Sequence, residues 1–277
     1  MKLYQDLHCH THLSVCGKDS ATIPYYVESA VRQNIETVGI ADHMWDKEVP
    51  FPDDMCHSLF AREGTFVTNW YKVQDLAHCR EVLKEIEQTD TQGVRFLFGG
   101  EVDYCEGIGP AITEEEAEKM DFMIVPNSHT HHLMNKSLYE PYEKHAAYML
   151  KATMEICMSP LNKYVTSLAH PFDATCCPYP VDYVIDAITD EQFCEAFCAA
   201  KEANIAAEIN LYAYRTMNDD EMRNNYMTRV LTQAKKCGCK FTFGSDCHAA
   251  GQQDAFVETA DRVTAMLGLT EEDILQI

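Results

Sequence analysis

The chain changes its hydrophobic period again and again, and that alternation restricts its folds more than any other feature. Short runs rich in Val, Ile, Phe and Tyr occupy 2–8, 36–42, 94–102, 121–127, 164–170, 205–210 and 240–246. Between them lie stretches of helical period at 24–34, 70–89, 113–119, 141–158, 190–203, 218–237 and 252–267. The first kind predicts strands and the second amphipathic helices. Pro24 falls in the first helical turn, where a missing N–H is harmless. In 70–89, the residues Val73, Leu76, Ala77, Leu83 and Ile86 share one helix face. Strands that alternate with helices imply a parallel sheet, because parallel neighbours need a crossover. With no clear linker between units, one closed or nearly closed barrel is favoured over two domains. The segment 44–69 is the longest connection without a periodic pattern and reads as a functional rim loop.

At 277 residues such a barrel buries about three quarters of its unfolded surface. No apolar run reaches the ~20 residues of a membrane span, and the start "MKLYQDLHCH" lacks a signal-peptide stretch, so a soluble, cytoplasmic protein without a membrane partner is expected. Thirteen cysteines scattered through apolar patterns read as reduced thiols used as small hydrophobes. Cys194 and Cys198, four apart, read as core. "KKCGCK", with Cys237 and Cys239, lacks the matching pair a zinc ribbon needs. The formal net charge of −22 disfavours stable nucleic-acid binding, which rests on Lys and Arg contacts to phosphates. A small anionic substrate remains compatible with it, provided bound cations reverse the local potential.

What sets these strands apart is how they end. His8 and His10 close the first, Asp42 and His43 the second, and Glu101 the third; His129 follows the fourth and His170 ends the fifth. Glu208 lies in the sixth, and Asp246 and His248 end the seventh. In an α/β barrel the strand carboxyl ends surround one mouth, where active sites lie, so these scattered positions converge. His-x-His and Asp-x-His place both side chains on one face of an extended chain, and each pair can address one metal cluster. Cys9 points the other way and packs. A single histidine at a strand end reads as an ordinary packed or surface residue, but metal-capable side chains at the end of every strand do not. His57, His78 and His145, in the long loop or on predicted helices, receive no role. Neither does His12, past the point where alternation fixes direction. His131 and His132 compete with His129.

The motifs "DLHCHT", "IADH", "GGEV", "SHTH", "LAHPF", "EIN" and "GSDCH", in that order over nearly the whole chain, resemble the polymerase and histidinol phosphatase (PHP) family of metal-dependent phosphoesterases. The resemblance implies a distorted (β/α)7 TIM-like barrel, a single domain over 1–277. It also implies two or three divalent ions, zinc, iron or manganese, in the mouth. Carried over motif by motif, His8, His10, Glu101 and Asp246 hold the first ion, and Glu101, as a bridge, with His129 and His170 the second. His43 and His248 hold the third, with one more ligand from the loop after His10. Relatives commonly have His or Asp seven to nine positions after the first histidine. Here Cys16 stands in that window, with Asp19 just beyond it. Cys16 is a reasonable zinc ligand as a thiolate, at about 2.3 Å; otherwise it is a loop cysteine beside a weak third site. "VPNSHTHH" has one residue more before its histidine than the common arrangement, leaving His129 as first choice and His131 as second.

A mixed His and carboxylate cluster suits zinc, iron or manganese rather than an iron–sulfur centre. The expected reaction is hydrolysis of a small phosphomonoester, as in histidinol phosphatases, by attack of metal-bound hydroxide while the other ions neutralise the phosphate oxygens. Asp42 either orients an imidazole or closes a turn. Glu208 and Asn210 are candidates to stand behind the ligands. Arg215 either grips a phosphate through its fork or is an ordinary solvated arginine. A phosphodiesterase or nuclease on short oligonucleotides is the runner-up. An amidohydrolase-type C–N hydrolase normally has a carboxylated lysine at a strand position that Glu101 takes here. A non-catalytic metal-binding module, of the kind attached to polymerases, is the alternative from another class.

Overall fold

Seven strands pair side by side, all parallel, in the order in which they occur along the chain. The computed structural model describes residues 4–51, 74–130, 134, 140–175 and 177–277. Along the chain these are β1 (Gln5–Cys9), α1 (Ile23–Gln33), β2 (Thr37–Ile40), β3 (His43–Met44), α2 (Leu76–Gln88), β4 (Arg95–Val102), β5 (Tyr104–Cys105), β6 (Gly109–Pro110), α3 (Glu114–Ala117) and β7 (Phe122–Pro126). There follow α4 (Tyr142–Met158), β8 (Ser167–Ala169), α5 (Val181–Asp186), α6 (Asp190–Glu202), β9 (Ala206–Asn210), α7 (Asp219–Asn224), α8 (Tyr226–Cys237), β10 (Phe241–Gly244) and α9 (Phe256–Leu267). The last strand returns to the first at its carboxyl end, where Asp246 N–H donates to His8 O at 2.8 Å and His10 N–H to Cys247 O at 2.9 Å. The sheet is thereby nearly closed into a single-domain α/β barrel of TIM-like form.

Period-two alternation decides what each strand presents to the inside. In β4, Leu97, Gly99 and Glu101 share the inner face, whereas Phe98 and Val102 pack outward. Leu7, Ala41, Leu97, Phe122, Ile124 and Ala169 form the apolar floor. The Phe122 ring fits there because β2 and β4 carry glycines: a Cβ on Gly39 or Gly99 would fall 2.7 or 2.4 Å from it. Outward residues such as Val38, Ile40, Ile209, Phe241 and Phe243 bury against the helices.

Strict alternation fails at one point, and the mouth depends on the exception. The register of β1 against β2 slips between Asp6 and Cys9, a bulge that puts Leu7 in the floor and lets the next side chain, His8, join the mouth. Asp6 holds it: Oδ1 accepts from Ser245 N–H at 2.8 Å and His8 N–H at 3.3 Å, and Oδ2 accepts from Gln253 Nε2 at 2.7 Å.

Several elements depart from the sequence-based expectation. The helix expected over 218–237 is two helices, because Asn225 is extended and its side chain caps Met227 N–H of α8 at 2.9 Å. The helix expected over 252–267 starts at Phe256 after a turn. Of 70–89, α2 takes Leu76–Gln88, capped by Asp75, while 70–73 fall outside the described residues. Helix α5 and the β5–β6 hairpin were too short to carry a period. Of the loop 44–69 only 44–51 is described. Cys194 is half-buried and Cys198 exposed, so the pair is not core. Their helix face meets the end of α8, where Cys237 Sγ lies 3.4 Å from Cys194 O. The described cysteines are free thiols, and among the described residues no helix is long and apolar enough to cross a membrane.

Candidate metal centre at the barrel mouth

Glu101 sits at the centre of the mouth, 1% exposed, and its two oxygens face opposite groups of imidazoles. Oε1 lies 2.9 Å from His170 Nε2 and 3.4 Å from His129 Nε2. Oε2 lies 3.1 Å from His43 Nδ1 and 3.6 Å from both His8 Nε2 and His10 Nε2. His43 reaches this position because β3 pairs with β4 in the register His43 to Glu101. Asp246 closes the other side, with Oδ1 at 3.6 Å from His8 Nε2 and 3.5 Å from His10 Nε2. The rings follow one another round the mouth, His248 on His10 at 4.2 Å between centroids, then His43, His129, His170 and His8 at 5.0 to 5.6 Å.

Four of these imidazoles are oriented from behind. His8 Nδ1 lies 2.7 Å from Glu208 Oε1, His129 Nδ1 2.6 Å from Asp103 Oδ1, His170 Nδ1 2.7 Å from Ser128 Oγ, and His248 Nδ1 2.9 Å from the carbonyl of Asp246. A carboxylate or carbonyl only accepts, so in His8, His129 and His248 the Nδ1 carries a proton and Nε2 is the nitrogen left to meet a cation. The backbone is bent to suit: His170, Phe172 and Asp246 have φ of 27°, 61° and 51°, left-handed values that non-glycine residues seldom adopt and that gather at functional sites.

The electrostatics match a cation centre. Every ion-pair partner of Glu101 and Asp246 among the described residues is a histidine. Burial works against ionisation of both acids, yet the surrounding imidazoles hold them well below the usual carboxylate range. Burial disfavours charge on His8 too, but Glu208, Asp246 and Glu101 outweigh it and push its pKa well up. His170, buried against the Glu101 carboxylate, is raised to about 9. His10 goes the other way, pulled down by burial and by His248, and its Nδ1 is buried with no hydrogen-bond partner among the described residues. His8 Nε2 and His10 Nε2 face each other at 3.1 Å. Buried imidazole nitrogens that converge on two ionised acids fit divalent cations, which would take the place of the ring protons on His8 and His170.

Among the described residues five sets of donor atoms are close enough to share an ion: His8 with His10 and Asp246; His8 with Glu101 and His170; His10 with His43 and Glu101; His43 with Asp103 and His129; and His10 with Cys16 and His248. All eight positions carried over by motif, His8, His10, His43, Glu101, His129, His170, Asp246 and His248, therefore meet in one mouth. The third grouping differs from the one implied by the motifs, since His248 joins His10 and Cys16 rather than His43. The ring of His10 stands beside both.

Asp42 does not reach an imidazole. Its carboxylate accepts from Thr11 N–H at 2.6 Å and Thr11 Oγ1 at 2.7 Å, closing the turn that follows His10. Asp19 is exposed and outside every set. His12 pairs with Glu85 at 3.2 Å, and His78 and His145 lie on α2 and α4, outside these sets. His57, His131 and His132 are outside the described residues. Asn210 Nδ2 donates to Asp246 Oδ2 at 3.1 Å, steadying that carboxylate. Arg215 follows β9, its guanidinium 3.7 Å from the centre of the Tyr212 ring and one buried nitrogen, Nη1, without a partner among the described residues. Asp103 is the residue that sequence reasoning missed. It continues the inner-face series Leu97, Gly99, Glu101, so the spacing Glu101-x-Asp103 was the available signal.

A parallel barrel of seven strands with a His-carboxylate mouth at the strand carboxyl ends is the architecture of metal-dependent hydrolases. The PHP domain matches residues 6–268, and the chain belongs to that family. Among solved structures it is similar to histidinol phosphate phosphatase (HISK) from Lactococcus lactis subsp. lactis Il1403, complexed with zinc, L-histidinol and phosphate. The TM-score is 0.58 at 17% identity, covering 96% of this chain and 94% of that one. It is also similar to the candidate histidinol phosphatase hisK from Listeria monocytogenes, with a TM-score of 0.54 at 13% identity over 90% and 96% of the two chains. No curated protein matches it in sequence.

Proposed function

We propose that the protein hydrolyses a small phosphomonoester, with two or three divalent ions, zinc, iron or manganese, held by His8, His10, His43, Glu101, His129, His170, Asp246 and His248. The observation that carries this reading is the shared carboxylate: Glu101 presents Oε1 to His129 and His170 and Oε2 to His8, His10 and His43. A bridging carboxylate between two imidazole groups is the arrangement that holds cations close together. Ions bound there supply a water acidified toward neutral pH and neutralise the charge on a phosphate.

The chain's own groups have definable parts in such a reaction. Glu208, Asp103 and the Asp246 carbonyl fix the tautomers of His8, His129 and His248, and Ser128 fixes the ring of His170, so that ligand atoms need no reorientation when substrate arrives. Asn210 restrains Asp246. Arg215 is the candidate to take a phosphate oxygen through its guanidinium, and its stacking on Tyr212, with Nη1 unpartnered among the described residues, is what supports that part. That the Lactococcus structure holds zinc, L-histidinol and phosphate supports a small phosphorylated substrate. With so acidic a chain, a nucleic-acid substrate is the weaker reading.

Purified protein supplied with zinc, iron(II) or manganese should hydrolyse p-nitrophenyl phosphate faster than bis-p-nitrophenyl phosphate, and the His8→Ala/His10→Ala variant should lose both bound metal and turnover. Faster hydrolysis of the diester would favour the nuclease-like reading. No hydrolysis of any monoester, with metal and activity unaffected in the double variant, refutes the proposal.

A further inference from the structure

We propose that the outermost of the five donor sets, Cys16 with His10 and His248, is a soft cation site that takes a thiophilic ion such as zinc in preference to manganese, so that the mouth holds chemically unlike ions side by side. The proposal rests on the metal-centre reading given above and deepens it. The sulfur of Cys16 and one nitrogen each from His10 and His248 lie within 4.8 Å of one another, close enough to share an ion. His10 is fully buried, and its Nδ1 has no hydrogen-bond partner among the described residues.

The loop carrying Cys16 is built to hold the sulfur there. Ser14 N–H donates to Thr11 O and Gly17 N–H to Ser14 O, each at 2.9 Å, winding residues 11–17 into consecutive tight turns. The winding is so close that a Cβ on Gly17 would fall 1.9 Å from Thr11 O, and only glycine fits. Thr11 is itself pinned by the buried carboxylate of Asp42. On the far side of the turn, Lys18 N–H donates to the carbonyl of His248 at 2.8 Å, fastening the loop to the residue that supplies one of the imidazoles. The sulfur's own contact among the described residues is Ser14 Oγ at 3.1 Å, a hydroxyl that can donate to a thiolate.

The donor chemistry differs from that of the rest of the mouth. The other four sets combine imidazoles with carboxylates, which suit manganese as well as zinc or iron, and this set has two imidazoles and a thiol with no carboxylate. A divalent ion binding there displaces the thiol proton to solvent and forms a metal–thiolate bond, a reaction that balances without an oxidant. A neutral His10 gives its one lone pair to this ion, leaving His8, Glu101 and Asp246 to the neighbouring one. Such a two-histidine, one-cysteine set leaves one tetrahedral position open.

The test uses the whole protein loaded with cobalt(II) in place of the native ion. A near-ultraviolet sulfur-to-cobalt charge-transfer band is expected, and it should be lost in Cys16→Ser while the visible ligand-field bands of the remaining sites persist. Independently of any variant, zinc should protect Cys16 of the wild-type protein from iodoacetamide, read by peptide mass mapping, and manganese should not. Cobalt bound with ligand-field bands but no charge-transfer band, and Cys16 alkylated equally fast with and without zinc, overturns the proposal and leaves the phosphoesterase reading intact. A protein that binds no cobalt at all overturns both.

Discussion

Glu208 carries the most exposed consequence of the mouth's geometry. One oxygen accepts from His8 Nδ1 at 2.7 Å and the other from the backbone N–H of His170, with the side chain about 1% exposed. Glu208→Gln keeps the shape but offers one acceptor to two buried donors. With its oxygen on the His170 N–H, the amide turns an N–H toward His8 Nδ1, which accepts it only by carrying its proton on Nε2 instead, the atom that faces the mouth. Two hydrogen bonds to a carboxylate become neutral ones, so metal-free Glu208→Gln should be less stable than wild type by about 1 kcal/mol. The metal should be affected as well, because His8 loses the carboxylate that fixes its tautomer. Loss of such a partner typically weakens metal binding about 10–100-fold. Thermal unfolding after chelation reads the first effect, and competition against a chromophoric chelator reads the second. Glu208→Ala, which removes both acceptors, should exceed Glu208→Gln in both measurements. If Glu208→Gln matches wild type in stability and in metal affinity, the argument that this carboxylate orients His8 and anchors His170 is wrong.

Three other substitutions test neighbouring parts of the reasoning. A Cβ on Gly244 would lie 2.0 Å from Glu208 Oε1 and 2.5 Å from His8 Cβ, so Gly244→Ala should weaken metal retention as Glu208→Gln does; full metal content measured by elemental analysis would contradict this. Phe172 is fully buried, edge-on to Phe193 at 5.0 Å and Phe197 at 5.6 Å, and Phe172→Ala should cost about 3–5 kcal/mol, lowering Tm by on the order of 10 °C in calorimetry. Asp46 accepts from Thr113 N–H at 3.0 Å, Thr113 Oγ1 at 2.6 Å and Glu48 N–H at 3.0 Å. Burial opposes its ionisation, but these bonds outweigh it and hold the carboxyl below its ordinary value. A lowered folded pKa means stabilisation that is present above the unfolded value of about 3.9 and lost as pH falls through the folded one. Asp46→Asn should therefore be destabilised by about 1–2 kcal/mol at pH 7, with the gap to wild type closing below about pH 4. A gap that stays constant from pH 7 to pH 3 in denaturant titrations would rule out the linkage.

Much of this molecule was legible in the chain because one physical rule, side-chain periodicity, operates locally. The alternation of strand and helix periods was enough for a parallel barrel, and the recurrence of His, Asp and Glu at strand carboxyl ends was enough for a mouth rich in ligands, since barrel closure brings those ends together whatever lies between. The misreadings fall where a non-local contact overrides the period. Asn225 divides a continuous helical pattern by capping one half of it. The Cys194–Cys198 face looked like core because helical spacing shows that two residues share a face, but not what covers that face; Cys198 is exposed.

The centre itself divides along the same line. Which residues are metal-capable, and that they gather at one end, follows from the sequence, because composition and strand phase are properties of the chain alone. Which atoms face each other was decided only by the tertiary structure. The slip between Asp6 and Cys9 brings His8 to the mouth, the β3–β4 register sets His43 against Glu101, and Asp42 is spent on Thr11 rather than on an imidazole. Asp103 and Glu208 acquire their roles from residues 26 and 200 positions away. Cys16 meets His248 because a loop wound on Gly17 is tied to the last strand's end by one backbone hydrogen bond. Coordination depends on distances of a few ångströms between groups far apart in sequence, and only the closed barrel sets those distances.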